Sequence, residues 1–519
     1  IMADNLANNQ KTEDRFETLL NNANAARVIS SAVEGTLGPK GLDIMMVDKF
    51  GDVVITNDGV TILKLMEVNH PAAHMIINAA KAQQHQIGDG TTTTTIMAGA
   101  IVAEGCQQVL KGVPVTKVIE GINQGIDYAV SLVEDNTILL GEKDTDLLYN
   151  VALVAARGQK DIANLVVEGA KQIGLNHLLK PDYKLSEAVF AEEFADNEVI
   201  KGIILNKEPL NQEMPTTMDK LKILVIDDNL APEELAAEAI TTETGFNYFL
   251  NAKKRYQTNL MKIKELGINV VIVDRAIDDI AEEYFTQVGI IALHRVSSRE
   301  IERLCKYTGA QKVKRSSLNR SPDIINTYLG YAKAIKVDDK LEHTIIYGGQ
   351  AENEVTIMLG AATEEVVEEK ERMAKDAASA IQAAWQGGIV PGGGAIEIWA
   401  ATQLEDIAKE FTGMTSYGVT CVKEAITRPF ACIVENAGFN PLEKLGDIIA
   451  QQRKDSSPAI GLNCDSGEFI DVLKAGIVDA VPVKVHAIKA AGEVATAILR
   501  INTVIRMKNY DDKNNTDIF

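Results

Sequence analysis

The chain has 519 residues, 46% of them hydrophobic and 24% charged, and its 73 acidic against 52 basic residues leave a formal net charge of −21. That length predicts about three domains, and an acidic field of this size excludes nucleic acid and anionic membrane surfaces as natural partners. Apolar runs fall far short of the roughly 20 residues of a membrane-spanning helix. The opening residues lack the apolar stretch of a signal peptide, and Met2 reads as the start. Five scattered cysteines without CxxC spacing argue against a disulfide framework or a zinc site and fit a reducing cytoplasm.

In chain order, apolar residues recurring at three and four predict a helix over 14–35, followed by the Gly- and Pro-rich turn GTLGPKGLD. IMMVD and DVVITND, separated by KFG, predict a hairpin. GDGTTTTT then opens an apolar helical stretch. The middle changes character: LKILVIDD (221–228), INVVIVDR (268–275) and GIIALHR (289–295) are short β-rich runs between helical segments, which predicts an α/β unit over about 211–355. Its largest insertion has a helical pattern. A long helix with a charged start, EEVVEEKERMAKDAASAIQAAW, and the loop GGIVPGGGA come next. The rest is mostly helical, with a strand-like region near 459–483 and a polar tail.

Neither GxxxxGK[ST] nor a GxGxxG after a strand is present, so the P-loop and Rossmann routes to a nucleotide have no support. What remains is a set of Gly-rich turns carrying hydroxyls and acids. In Thr36-Leu37-Gly38-Pro39-Lys40-Gly41, glycines allow backbone N–H groups to approach an anion. Gly88-Asp89-Gly90-Thr91-Thr92-Thr93 stands at a helix start, where free N–H groups and the helix dipole favour phosphate. Asp89 would repel bare phosphate but suits an intervening hard cation. Asn57-Asp58-Gly59 puts a carboxylate after a strand, able to orient water or help hold that cation. Each turn taken singly is better explained by capping or turn formation; their co-occurrence with five consecutive threonines is what points to phosphate. Asp376, on a helix, reads by itself as solvated surface. His70 and His74, spaced i, i+4, lack a third ligand and read as structural.

Taken in order, TLGPKGLD, DVVITNDGVTIL, EVNHPAAHMI, GDGTTTTTIMAGAIV, GGIVPGGGA, ENAGFNPLEKL, GIVDAVPVK and ATAILRINTVI resemble the signature series of the chaperonins, and they span nearly the whole chain. The segment ELGINVVIVDRAIDDIAEEYFTQVGIIALHRVSSREIERLCKYTGA resembles the apical domain of the group II chaperonins, the archaeal thermosome and the eukaryotic cytosolic ring. The divergent lid insertion keeps the related bacterial group III lineage open.

The resemblance implies a multidomain fold: a mainly α-helical equatorial ATPase domain (1–141 and 393–519), an α/β intermediate hinge domain (142–210 and 356–392), and an α/β apical domain (211–355) with a helical protrusion, about 236–262, serving as built-in lid. It implies an ATP-dependent chaperone using ATP and Mg²⁺, assembled as two stacked rings of eight subunits, enclosing non-native polypeptides without a separate co-chaperonin cap. By resemblance, Leu37, Gly38, Pro39, Gly90, Thr91, Thr92, Thr93, Gly392 and Gly393 contact the nucleotide phosphates and backbone cradle. Asn463 and Asp479 contact adenine and ribose, Asp89 holds Mg²⁺, and Asp58 and Asp376 are catalytic. Where the family carries a Lys-Gly pair that senses the γ-phosphate, this chain has Arg157-Gly158, and arginine's forked donors are not equivalent to a lysine's.

Overall fold

The computed structural model describes residues 2–51, 53–181, 183–233, 243–351, 354–411 and 413–505. The chain divides into two compact units. One comprises residues 1–167, 184–186 and 372–519, and the other residues 168–183 and 187–371. The boundaries at 167/168 and 371/372 fall inside continuous helices, Lys160–Ile173 and Glu364–Gly387. Of the stretches expected to form an intermediate domain, 142–167 and 372–392 thus belong to the first unit and 187–210 and 356–371 to the second.

The first unit is helical and is built from both ends of the sequence. Helices Met2–Glu34, Pro71–Gln86, Thr91–Leu110 and Val115–Asp135 pack with Ala395–Glu410, Thr415–Asn436 and Val481–Leu499. The centre is Thr91–Leu110, where Ile96, Met97, Ala98, Ile101 and Val102 are all fully buried. Small residues let these helices approach closely. At the crossing of Val115–Asp135 with Thr415–Asn436, a Cβ on Gly121 would lie 2.0 Å from the Thr415 carbonyl oxygen, and one on Gly418 would lie 2.2 Å from that of Val118. Gly99 rests on Ser30 in the same way, and Gly105 on Leu499. The predicted hairpin forms as read, with Ile44–Val47 antiparallel to Val53–Thr56.

The second unit is α/β. Its six-stranded sheet has the order Gly202–Leu205, His343–Tyr347, Gly330–Asp338, Thr217–Ile226, Val270–Val273, Ile291–Leu293. The last three strands are parallel and the other pairings antiparallel. All three β-rich runs read in the sequence are strands here. Residues alternate between two buried faces: Leu224, Ile226, Val271 and Val273 meet Tyr256, Leu260, Ile263 and Phe285 on one side, while Ile223, Val225, Val270 and Ile272 meet Ile301, Leu304 and Tyr307 on the other. Burial on both faces is why these parallel strands read as continuous apolar runs rather than as an alternating pattern. The sheet begins before residue 211, because Gly202–Leu205 forms its edge.

A separate three-stranded sheet pairs Thr356–Ala361 with Val189–Glu193 and Glu198–Ile200, so the two intermediate stretches of sequence meet there. Within the expected lid, residues 236–242 lie outside the described residues. Residues 243–262 belong to helix Glu243–Glu265, whose C-terminal half is anchored by Tyr256, which donates to the Leu230 carbonyl at 3.0 Å.

Substituting Gly121→Ala forces a methyl into a backbone oxygen that neither helix can move away from. Its expected cost is about 3 kcal/mol of stability, read as a lowered denaturation midpoint, while an alanine at open Gly35 or Gly446 leaves the midpoint within about 1 kcal/mol of the parent.

Candidate nucleotide site

The turn before helix Thr91–Leu110 is held by glycines in the left-handed region, Gly88 at φ 88° and Gly90 at φ 83°. Both are also sterically required. A Cβ on Gly88 would lie 2.2 Å from Ser379 Oγ, and one on Gly90 would lie 2.8 Å from a Val483 methyl. Gly90 is the N-cap and supplies no side chain. The first helical bond is Thr94 N–H to the Gly90 carbonyl, which leaves the N–H groups of Thr91, Thr92 and Thr93 ahead of the ladder. The threonines divide by role. Thr94 and Thr95 donate back to the Gly90 and Thr91 carbonyls, and Thr91 donates to Asp58 Oδ1 at 3.2 Å. The hydroxyls of Thr92 and Thr93 have no hydrogen-bond partner among the described residues. An uncapped helix start with two spare hydroxyls offers the donors that an anion needs.

Asp89 precedes this start. Its Oδ1 accepts from Gly90 N–H at 2.6 Å, and its carbonyl accepts from the buried Gln83 Nε2 at 2.7 Å. Burial pushes the Asp89 pKa up to about 6. The Gly90 N–H opposes this, the Asp479 charge adds to it, and Lys484 and Arg157 oppose it. A carboxylate held at that cost beside an anion site fits a divalent cation, which would offset the burial. Arg157 is exposed, at φ 53°, followed by Gly158 at φ 83°, and its charge reaches Asp89.

Asp58 joins the hairpin to the same helix start. It caps helix Gly59–Leu65, accepting from Val60 N–H at 3.3 Å, Thr61 N–H at 3.0 Å and the Thr61 hydroxyl at 2.7 Å, besides Thr91. Gly59 packs on Thr92, whose hydroxyl lies 2.5 Å from where a Cβ would be.

The far end of the chain completes the locus. Strand Ile389–Pro391 pairs with Val478–Ala480, Val390 opposite Asp479, and the next residue, Gly392, donates its N–H to the Ile477 carbonyl. A Cβ on Gly392 would lie 3.0 Å from the Val478 backbone and 3.1 Å from Asp479 Oδ2. Gly393 (φ 63°) and Gly394 (φ 85°) turn the chain into helix Ala395–Glu410. Asp376 belongs to the same compact unit, one turn before Ser379, on which Gly88 rests.

Leu37, Gly38 and Pro39 form a neighbouring turn. Gly38 is at φ 87° and packs on Ile433, and Asn436 Nδ2 donates to the Leu37 carbonyl. Lys40 pairs with Asp465 at 2.6 Å, which draws this turn toward the hairpin turn at Asn463. The Asn463 side-chain oxygen accepts from the Asp465 and Ser466 N–H groups and so shapes that turn.

Sequence reasoning missed the buried ion cluster behind these turns. Lys484 Nζ lies 2.7 Å from Glu397 Oε1 and 2.8 Å from Asp479 Oδ2. Burial works against its charge, but the two carboxylates outweigh that and raise its pKa. Gln83 and His486, which contact each other, were missed too. The available signal was a lone charge inside each of two apolar helix starts, AIEIWAA and VPVKVHA, where a buried charge demands a partner.

The TCP-1/cpn60 chaperonin family pattern matches residues 29–509. A thermosome subunit of Pyrococcus abyssi is 34% identical over 504 residues, covering 94% of this chain and 90% of the relative. The thermosome subunit alpha of Halobacterium salinarum is 33% identical over 93% of this chain and 87% of its own length. Among solved structures, a group III chaperonin crystallised in the open state superposes with a TM-score of 0.86 and 44% identity, over 95% of this chain and 100% of that one. With its fold, its signature turns and nearly its whole length matched, the chain belongs to the TCP-1/cpn60 chaperonin family, as a group II-type, thermosome-like subunit.

Proposed function

We propose that this chain is an ATP-hydrolysing chaperonin subunit that assembles with others into two stacked rings and encloses non-native polypeptide under a built-in lid. The observation that carries the reading is the uncapped start of helix Thr91–Leu110, with the Thr92 and Thr93 hydroxyls spare and Asp89 beside it. In this reading Thr91, Thr92, Thr93 and Gly90 bind phosphate oxygens, Gly392 and Gly393 give the nucleotide backbone access, and Asp479 takes the ribose. Leu37, Gly38, Pro39 and Asn463 line the neighbouring turns toward phosphate and adenine. Asp89 holds Mg²⁺, which when bound screens the phosphate charge.

Water attacks the γ-phosphorus, the bond to the bridging oxygen breaks, and ADP and phosphate leave. Asp376 takes the proton of the attacking water. Asp58 already accepts four hydrogen bonds on its two oxygens, the full acceptor capacity of a carboxylate. Its part is therefore to hold Thr91 and the helix start in place and to add fixed negative charge. Arg157, whose charge already reaches Asp89, reports the γ-phosphate. The wider scheme rests on family resemblance: three domains with the hinge at 142–210 and 356–392, eight subunits per ring, no separate cap, and a cytoplasmic setting. Mg²⁺-dependent ATP hydrolysis by a large particle tests it, and a small particle without turnover refutes it.

Two substitutions probe the roles. Asp376→Ala is expected to lower kcat by about 10²–10⁴-fold with ATP affinity largely kept, measured by single-turnover hydrolysis beside equilibrium binding; lost binding would instead make Asp376 a ligand contact. Asp89, with a pKa near 6, takes up a proton as the pH falls, and protonation competes with the cation. At fixed ADP the apparent Mg²⁺ affinity is therefore expected to fall below about pH 6 more steeply in the parent protein than in Asp89→Asn, where only the ADP phosphate still takes up a proton.

A further inference from the structure

One buried glutamate outside the expected site residues stands directly behind the nucleotide turns. Glu397 is the third residue of helix Ala395–Glu410, a position from which glutamate ordinarily reaches back to the cap residue's amide. Here the cap, Gly394, receives no side-chain bond. The Glu397 carboxylate, 1% exposed, instead faces the Lys484 ammonium at 2.7 Å, and neither of its oxygens takes a hydrogen bond from any other group among the described residues.

Lys484 is itself only 11% exposed at its side chain and lies 2.8 Å from Asp479 on its other side. Its charge also reaches Asp89. Without Glu397, that ammonium would be offset by Asp479 alone, and the remainder of its field would fall on Asp89. With Glu397 behind it, the Lys484–Glu397 pair is neutral, and two negative charges remain on the ligand side.

We infer that Glu397 is a positioning residue that neutralises Lys484 from behind, so that Asp479 and Asp89 present their charge to a metal–nucleotide complex rather than to the protein's own cation. This rests on the nucleotide site proposed above. The inference has a signature that a packing role lacks. Glu397→Gln preserves shape and removes one negative charge. The site becomes more positive, which weakens cation binding but does not weaken, and can strengthen, the binding of metal-free anionic ADP. A loosened fold would weaken both.

The test uses the full chain in its assembled form. Mn²⁺ binding at saturating ADP is followed by electron paramagnetic resonance, and metal-free ADP binding in EDTA by calorimetry. Glu397→Gln is expected to lower Mn²⁺ affinity about tenfold while ADP without metal binds as tightly as before or tighter. Glu397→Asp keeps the charge and is expected to stay within about threefold of the parent on both. The neutral pair Glu397→Gln with Lys484→Gln is expected to return Mn²⁺ affinity to within about threefold of the parent; if Glu397→Gln alone does not fold, Lys484→Gln carries the test, and it is expected to raise Mn²⁺ affinity and to weaken metal-free ADP. Parallel loss of both affinities, no change in either, or no recovery in the neutral pair would overturn the inference while leaving the nucleotide site standing. A parent protein that binds neither ADP nor Mn²⁺ with ADP removes the site and the inference together.

Discussion

The close crossing of helices Val115–Asp135 and Thr415–Asn436 is the constraint on which the site depends. Two glycines, 297 positions apart in the sequence, put one helix backbone against the other, with Gly418 Cα 2.8 Å from where a Gly121 Cβ would be. Around that contact the early helices and the late helices become one core, in which Thr91–Leu110 is buried by partners from both ends. The proposed site then follows, because Asp58, Asp89 and the threonines come from the first part of the chain, and Gly392, Asp479 and Lys484 from the last. The helix start with its spare donors belongs to the first part, and the glycine turn and ion cluster behind it to the last.

Within that frame the site is organised by charge. Lys484 sits between Glu397 and Asp479, Asp479 lies beside Gly392, and the Asp479 and Lys484 charges both reach Asp89. The backbone contributes as much as the side chains. Three helical N–H groups precede the ladder and find no acceptor in a capping side chain, since Gly90 has none, whereas a serine or asparagine there would satisfy one of them internally. Glycine at this cap keeps donors available for a ligand and also fits the narrow space between Gln83 and Val483.

The sequence disclosed more of the architecture than of the interaction network. Strong periodicity marked the long helices, and β-branched runs marked Thr217–Ile226, Val270–Val273 and Ile291–Leu293. Strands Gly202–Leu205, Gly330–Asp338 and His343–Tyr347 escaped notice: GIIL is too short to separate from a buried turn, and the other two, which pair with each other as a hairpin, carry lysines and a histidine that blunt the apolar signal. The glycine turns were legible as phosphate candidates because left-handed backbone leaves a composition mark. Asp58 was read as an acid able to orient water or help hold a cation, and its visible bonds also make it a helix cap. Local sequence cannot tell a capping aspartate from a water-orienting one, because both follow a strand and precede a helix. Glu397 and Lys484 each stood out as a lone charge in an apolar helix start, but that they pair with each other, across 87 residues, is something no spacing rule reports.

The insertion of residues 168–183 and 187–371 into the middle of the helical unit bears on how the chain is made. As it leaves the ribosome, residues up to 167 emerge with the partners of their apolar faces still unsynthesised. The α/β unit has all its strands once His343–Tyr347 and Thr356–Ala361 are out, and can close first. At ordinary translation speeds the early helices wait on the order of tens of seconds for Thr415–Asn436 and Val481–Leu499. During that interval the residues that later form the nucleotide turns are part of an incomplete apolar surface. A nascent chain of this protein therefore carries unburied apolar helix faces for most of its synthesis.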